Sequence, residues 1–299
     1  MRERPPTTVA ALTGVTKRYG AVTALDNVDL ALHAGELLAL LGPNGAGKST
    51  ALGLLTGRLL PDAGRVQLYG QDPTLTAARR RIGVMLQEAK LPETLKVREL
   101  VALFASYYPA PRDVAATLEL AGLSDLAGRR YEALSGGQQR RVQFALALVG
   151  NAPLLFVDEP TTGLDVEARR GLWQVLAGLK AAGTSIVLTT HYLEEADALA
   201  DRIVVIDRGR IRAEGSPSQI KSRARGAVLR FSTSLSEPLI AAIPGVQSVS
   251  RVGERFAVQA ADSDALLRLL LLADPNLADL EIQRLSLEDA LLTLTGAAK

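Results

Sequence analysis

The chain has 299 residues, which at about 150 residues per domain suggests roughly two domains. Lys and Arg number 34 against 32 Asp and Glu, so the formal charge is +2, and a field that weak argues against nucleic acid as a partner. With no cysteine there is no disulfide framework, thiolate nucleophile, zinc ribbon or cysteine-ligated iron–sulfur cluster.

The start, Met1-Arg2-Glu3-Arg4-Pro5-Pro6, is charged and leads into no long apolar stretch, so no secretory signal is expected. The longest charge-free run, 16 residues from Val142 to Val157, is shorter than the about 20 that a spanning helix needs and is broken by Asn151 and Pro153. The expectation is a cytosolic chain unless something holds it at a surface.

Short apolar segments alternate with helix-period segments through residue 206, the pattern of an α/β core with largely parallel strands. Leu37-Leu38-Ala39-Leu40-Leu41 reads as a buried strand. It runs into Gly42-Pro43-Asn44-Gly45-Ala46-Gly47-Lys48-Ser49-Thr50, followed by a helix over Thr50 to Leu55. Strand, glycine loop and helix in that order form a phosphate cradle. Backbone N–H groups turn inward, the helix N-terminus adds partial positive charge, Lys48 adds a full one, and the Ser49 hydroxyl can ligate Mg²⁺. Nucleoside triphosphate binding follows.

Residues Glu93 to Arg130 read as helical, a helical insertion over about 90–150 between core strands. Within it, Leu134-Ser135-Gly136-Gly137-Gln138-Gln139-Arg140 precedes helical Val142 to Leu148. A small hydroxyl and two unobstructed glycines at a helix start make a second anion site by the same physics, while Ser135 alone reads equally as an N-cap. Leu154-Leu155-Phe156-Val157 is a further strand, delivering Asp158 and Glu159 at its C-terminal end, the edge where parallel sheets bind ligands. Asp158 is placed to organise Mg²⁺, and Glu159 to act as general base toward water.

Ser185 to Thr189 and Ile203 to Ile206 complete the core strands. After Gly226 the texture changes to strands over Ala227 to Thr233 and Val246 to Val258, a helix over Asp264 to Leu272, and a closing helix over Ser286 to Leu294. The expected division is a nucleotide-binding domain over 1–220 and a small α+β domain over 226–299.

The Leu134 to Gln138 string resembles the signature of ATP-binding cassette (ABC) ATPases, and further motifs of that family lie in order around it, over residues 9 to about 220. The resemblance implies a P-loop ABC ATPase core with a helical subdomain and a C-terminal α+β appendage. It implies that Tyr19 stacks on adenine, that Gln87 contacts Mg²⁺ beside a membrane partner, that Gly163-Leu164-Asp165 crosses a dimer interface, and that His191 reaches the γ-phosphate. It further implies a head-to-tail pair of cassettes, a homodimer, in which Lys48, Ser49, Gln87, Asp158, Glu159 and His191 of one copy hold ATP against Ser135 to Gln138 of the other. His33 fits no motif and reads as structural.

His191-Tyr192-Leu193-Glu194-Glu195-Ala196-Asp197 and Leu285-Ser286-Leu287-Glu288-Asp289-Ala290-Leu291-Leu292 look like the cassettes of drug-resistance-type exporters. Such cassettes are separate chains held on the cytoplasmic face by membrane subunits encoded apart. The resemblance also places the segment after Gln87, with Leu91, Pro92, Leu95, Val97 and Leu100, beside that subunit, while the same apolar residues read equally as the core of the helical insertion. The alternative is a non-transport ABC ATPase acting on DNA or ribosomes. A DNA-acting member would separate phosphate loop and signature by a long coiled coil, whereas Lys48 and Ser135 lie 87 residues apart. A ribosome-acting member would carry two cassettes in tandem, and one phosphate loop and one signature are present.

Overall fold

The computed structural model describes residues 7–87, 89–223, 227–253, 255–284 and 287–288. The chain divides into two compact units, Met1–Pro217 and Ser218–Lys299.

The first unit opens with antiparallel strands β1 (Thr8–Tyr19) and β2 (Val22–His33), then β3 (Leu37–Leu41) and helix α1 (Lys48–Leu55). Strand β4 (Ala63–Leu68), the one-turn α2 (Thr76–Arg79) and β5 (Ile82–Met85) follow. Next come α3 (Val97–Ala105), α4 (Val114–Leu120) and α5 (Gly136–Leu148). The unit continues through β6 (Leu154–Asp158), α6 (Val166–Ala181), β7 (Ser185–Thr189), α7 (Leu193–Leu199), β8 (Arg202–Asp207) and β9 (Arg210–Gly215).

These strands form two sheets. One has three strands in the order β2-β1-β4, all antiparallel; the other has six in the order β5-β6-β7-β3-β8-β9, parallel except for the β8–β9 hairpin. The apolar runs of the parallel strands follow from burial on both faces. Leu154 and Phe156 of β6 join the core shared with β1, β2 and α1, while Leu155 and Val157 join the core shared with α5 and α6. A third core holds the helical subdomain, where Val97, Leu100 and Val101 of α3 pack against Leu118, Val142, Leu146 and Val149.

The three-stranded sheet was not foreseen in the sequence. Its longest pairing, β1 with β2, shifts register near Leu12, Val15 and Lys17, and each shift interrupts the period-2 pattern by which a strand is read.

The second unit carries α8 (Pro217–Arg223, begun at its border), β10 (Ala227–Ser232), α9 (Glu237–Ala241), β11 (Val246–Val252), β12 (Arg255–Ala260), α10 (Ser263–Ala273) and β13 (Ala278–Arg284). The sheet is antiparallel in the order β11-β12-β10-β13. Leu229 and Phe231, Phe256 and Val258, alternate members of β10 and β12, bury against Ile240, Leu266 and Leu270. The expected strand over Val246 to Val258 is a hairpin of two strands turned at Gly253, which has φ +65°. The expected closing helix over Ser286 to Leu294 lies outside the described residues except at Leu287 and Glu288.

Candidate active site

Strand order assembles the site. β5, β6, β7 and β3 are successive parallel neighbours, so their C-terminal ends lie side by side, about 4.8 Å apart per step. The chain leaving β5 supplies Gln87, β6 supplies Asp158 and Glu159, β7 leads to His191, and β3 runs into the glycine loop. One cleft of about 460 Å³ is lined by Ala24, residues 44–50, Gln87, Glu159 and His191.

Two glycines of the loop are required by close approach. A Cβ on Gly42 would lie 2.0 Å from the Ile206 carbonyl oxygen, and one on Gly47, whose φ is +112°, would lie 2.5 Å from that of Ala24. Gly47 is the N-cap of α1, so the first N–H groups of that helix face the loop. Lys48 is buried, and its Nζ donates to the carbonyls of Gly42 (2.7 Å) and Pro43 (3.1 Å). Burial pulls the ammonium below the ordinary lysine range, and the carboxylates of Glu159 and Asp158 pull it back up.

Glu159 has φ +47°, a left-handed backbone that costs a non-glycine residue about 1–3 kcal/mol. Its N–H donates to the Thr189 carbonyl at 2.9 Å and approaches the Thr189 hydroxyl at 3.1 Å. Its carboxylate receives the Gln87 side-chain amide at 3.3 Å and lies 3.4 Å from His191 Nδ1. Base, amide and imidazole therefore converge on one oxygen, Oε2, at the mouth of the phosphate cradle.

Asp158 is buried and is not among the lining residues. The Thr189 hydroxyl donates to its Oδ1. Burial pushes this carboxyl above the ordinary aspartate range, the Thr189 bond opposes that, the charge of Glu159 adds to it, and Arg140 and Lys48 oppose it. The donors available to a cation are the Ser49 hydroxyl, the Gln87 amide oxygen and the Asp158 carboxylate, a hard oxygen set. Among the described residues no cluster of three or more His, Cys, Asp or Glu side chains is arranged to hold a metal.

Three expected elements, the Ser135 to Gln138 helix start, the Gly163 to Asp165 loop and Tyr19, are not among the residues lining this cleft. Ser135 caps α5 in a reciprocal box, its hydroxyl accepting from the Gln138 N–H (3.3 Å) and its N–H donating to Gln138 Oε1 (3.0 Å). Gly136 and Gly137 open that helix, and a Cβ on Gly137 would lie 3.5 Å from the Gly163 carbonyl oxygen, so the two loops are neighbours within one chain. Asp165 caps α6 by accepting from the Ala168 N–H at 2.8 Å. None of Ser135, Gly136, Gly137, Gln138 or Tyr19 lines the cleft. Tyr19 ends β1, 48% exposed, with Lys17 Nζ 5.7 Å from its ring centre.

Sequence reasoning missed three contributors: Thr189, Arg140 and the inward role of Glu195. Glu195 is fully buried, where the Trp173 indole donates to Oε1 (3.0 Å) and the Thr161 hydroxyl to Oε2 (3.3 Å). Helix phase was the available signal for Arg140, since it falls on the stripe with Phe144 and Leu148, both buried.

Comparison with known proteins agrees with this geometry. Residues 25–162 match the model of the ABC transporter family. The chain is 38% identical to the daunorubicin/doxorubicin resistance ATP-binding protein DrrA of Streptomyces peucetius, over 97% of this chain and 93% of that protein. It is 37% identical to the Nod factor export ATP-binding protein I of Ralstonia nicotianae, over 98% of both chains. Among solved structures it resembles the ATP-binding cassette MJ0796 in a dimeric post-hydrolysis state bound to ADP and Pi, with TM-score 0.65, 31% identity, 69% of this chain and 98% of that one. Among the described residues no helix is long and apolar enough to cross a membrane. The chain belongs to the ABC transporter family, as an ATP-binding and ATP-hydrolysing cassette subunit of a transporter.

Proposed function

We propose that the chain is the cassette of an exporter and works as a homodimer on the cytoplasmic face of a membrane, against a separately encoded transport subunit. The observation that carries the chemical part of this reading is the convergence of Gln87, Glu159 and His191 over the glycine loop. Exporter function is supported by relatives named for drug resistance and Nod factor export that match over nearly their whole length. Those names leave the DNA- and ribosome-acting alternatives without support.

In this reading Lys48 and the first N–H groups of α1 neutralise the β and γ phosphates of ATP. Ser49, Gln87 and Asp158 would hold Mg²⁺, which would supply positive charge to offset the charge that develops on the phosphates. Glu159 accepts the proton of the attacking water, and His191, whose Nδ1 lies 3.4 Å from that carboxylate, would contact the γ-phosphate. Tyr19 stacks on adenine. The site in one copy is half a site, because Ser135 to Gln138 lie outside its cleft and are free to meet a nucleotide held by the partner. A twofold axis makes the interface isologous, with the phosphate loop of each copy meeting the helix start of the other, so the pair closes.

The Glu159→Gln variant tests the chemical part. An amide keeps the shape and takes no proton, so turnover should fall by roughly 10² to 10⁴ while ATP binding persists. Near-normal steady-state hydrolysis by that variant removes Glu159 from the role.

A further inference from the structure

Outside the cleft, one buried charge holds the backbone of two residues that line it. Arg140 lies in the second turn of α5 and is 7% exposed. Its Nη1 donates to the carbonyls of Leu86 (2.9 Å) and Gln87 (2.8 Å) and to Oε1 of Gln143 (2.8 Å). Its Nη2 donates to the carbonyls of Asp158 (2.5 Å) and Glu159 (2.6 Å). These last two carbonyls belong to the peptide planes on either side of the Glu159 Cα. Holding both planes fixes φ and ψ of the one residue that carries the base, and that residue is in a strained left-handed conformation.

We infer that Arg140 is a positioning residue: its guanidinium, carried by the helix that begins at Ser135, sets the backbone torsions of Glu159 and the position of Gln87, so that carboxylate and amide meet at the cleft. A rigid planar fork suits this task because it reaches carbonyls at the ends of two neighbouring strands at once. Burial pulls the guanidinium below the ordinary arginine range and the nearby acids Asp158 and Glu159 partly offset this, while its two Nη groups are satisfied by those carbonyls and its Nε has no partner. A movement of α5 is thereby transmitted to the base and to Gln87 together. The inference rests on the reading of Glu159 as general base.

The test uses the purified full chain. Arg140→Lys keeps the charge but gathers its donors on one nitrogen, which does not span the same carbonyls. Its kcat for ATP should fall about 10- to 100-fold, as expected of a misplaced catalytic group, with KM and the affinity for a fluorescent ATP analogue unchanged. In the Glu159→Gln background the same substitution should cause a much smaller loss of single-turnover rate, limited to what Gln87 contributes, because the base it positions is already disabled. A purely architectural arginine would lower the rate by the same factor in both backgrounds, or weaken nucleotide binding in step with kcat. Either result overturns the inference, as does wild-type kcat in Arg140→Lys. Arg140→Gln, assayed below its melting midpoint, gives the same reading should the lysine variant melt early. If Glu159→Gln itself turns over normally, it is the general-base reading that fails, a result distinct from all of these.

Discussion

At the scale of single residues, Lys48 and Glu195 show how burial acts on charge. Lys48 is held by two loop carbonyls in a site whose acids favour its charged form, so it is positioned before nucleotide arrives. Lys48→Ala should weaken ATP binding by at least about tenfold, since a charge-assisted contact contributes roughly 1.5–3 kcal/mol, and nucleotide titration measures this directly. Glu195 is pushed above the ordinary glutamate range by burial, against hydrogen bonds from Thr190, Trp173 and Thr161 and the charge of Arg169. A carboxyl whose folded-state pKa is raised binds its proton more tightly in the folded chain than in the unfolded one. Its contribution to stability is therefore fully present below the ordinary value, about 4.3, and is lost as pH rises through the raised one. The melting temperature of wild type relative to Glu195→Gln should be higher at pH 5 than at pH 8, and a difference independent of pH contradicts it. Gln87, Glu159 and His191 were legible because family motifs mark them. Glu195 was legible only as a charged letter beside Glu194, because no local pattern says that one of two adjacent acids turns inward to meet Trp173.

At the scale of elements, the segment after Gln87 separates core from surface. The sequence offers Leu91, Pro92, Leu95, Val97 and Leu100 as one apolar set facing a membrane subunit. Val97 and Leu100 are instead fully buried in the core of the helical subdomain, and Leu91 and Leu95 are partly buried against it. The apolar side chains that α3 and its following turn leave exposed are Leu103 (38%) and Tyr107 (57%). Periodicity gives the stripe but not which of its edges another helix covers. Leu100→Ala should destabilise by about 2–5 kcal/mol and lower the melting temperature by several degrees. Leu103→Glu should leave the melt nearly unchanged and weaken co-sedimentation with membranes that contain the transport subunit. The reverse pattern in thermal melts places Leu103 in the core and removes it from the docking surface. The parallel strands were readable as unbroken apolar runs because both of their faces are covered, whereas β13 (Ala278–Arg284), with Leu280 and Ile282 set among acids at a sheet edge, gave no such run.

At the scale of the whole molecule, the chain holds two glycine-bearing helix starts, and only one of them lines the cleft. The loop before α1 lines it with Gln87, Glu159 and His191, while the start of α5 lies beside Gly163 and is not among the lining residues. In the proposed homodimer each copy supplies half of two sites, and a second copy completes them. The most direct measurement mixes Lys48→Ala subunits, whose phosphate loop is disabled by weakened nucleotide binding, with Ser135→Arg subunits, whose helix start is blocked by a bulky cation. Each homodimer has no intact site, whereas each heterodimer has one, so a one-to-one mixture should recover about a quarter of the wild-type sites and a clear rise in ATP hydrolysis over both parents. A mixture no more active than its parents, at concentrations where wild type turns over, contradicts the shared site.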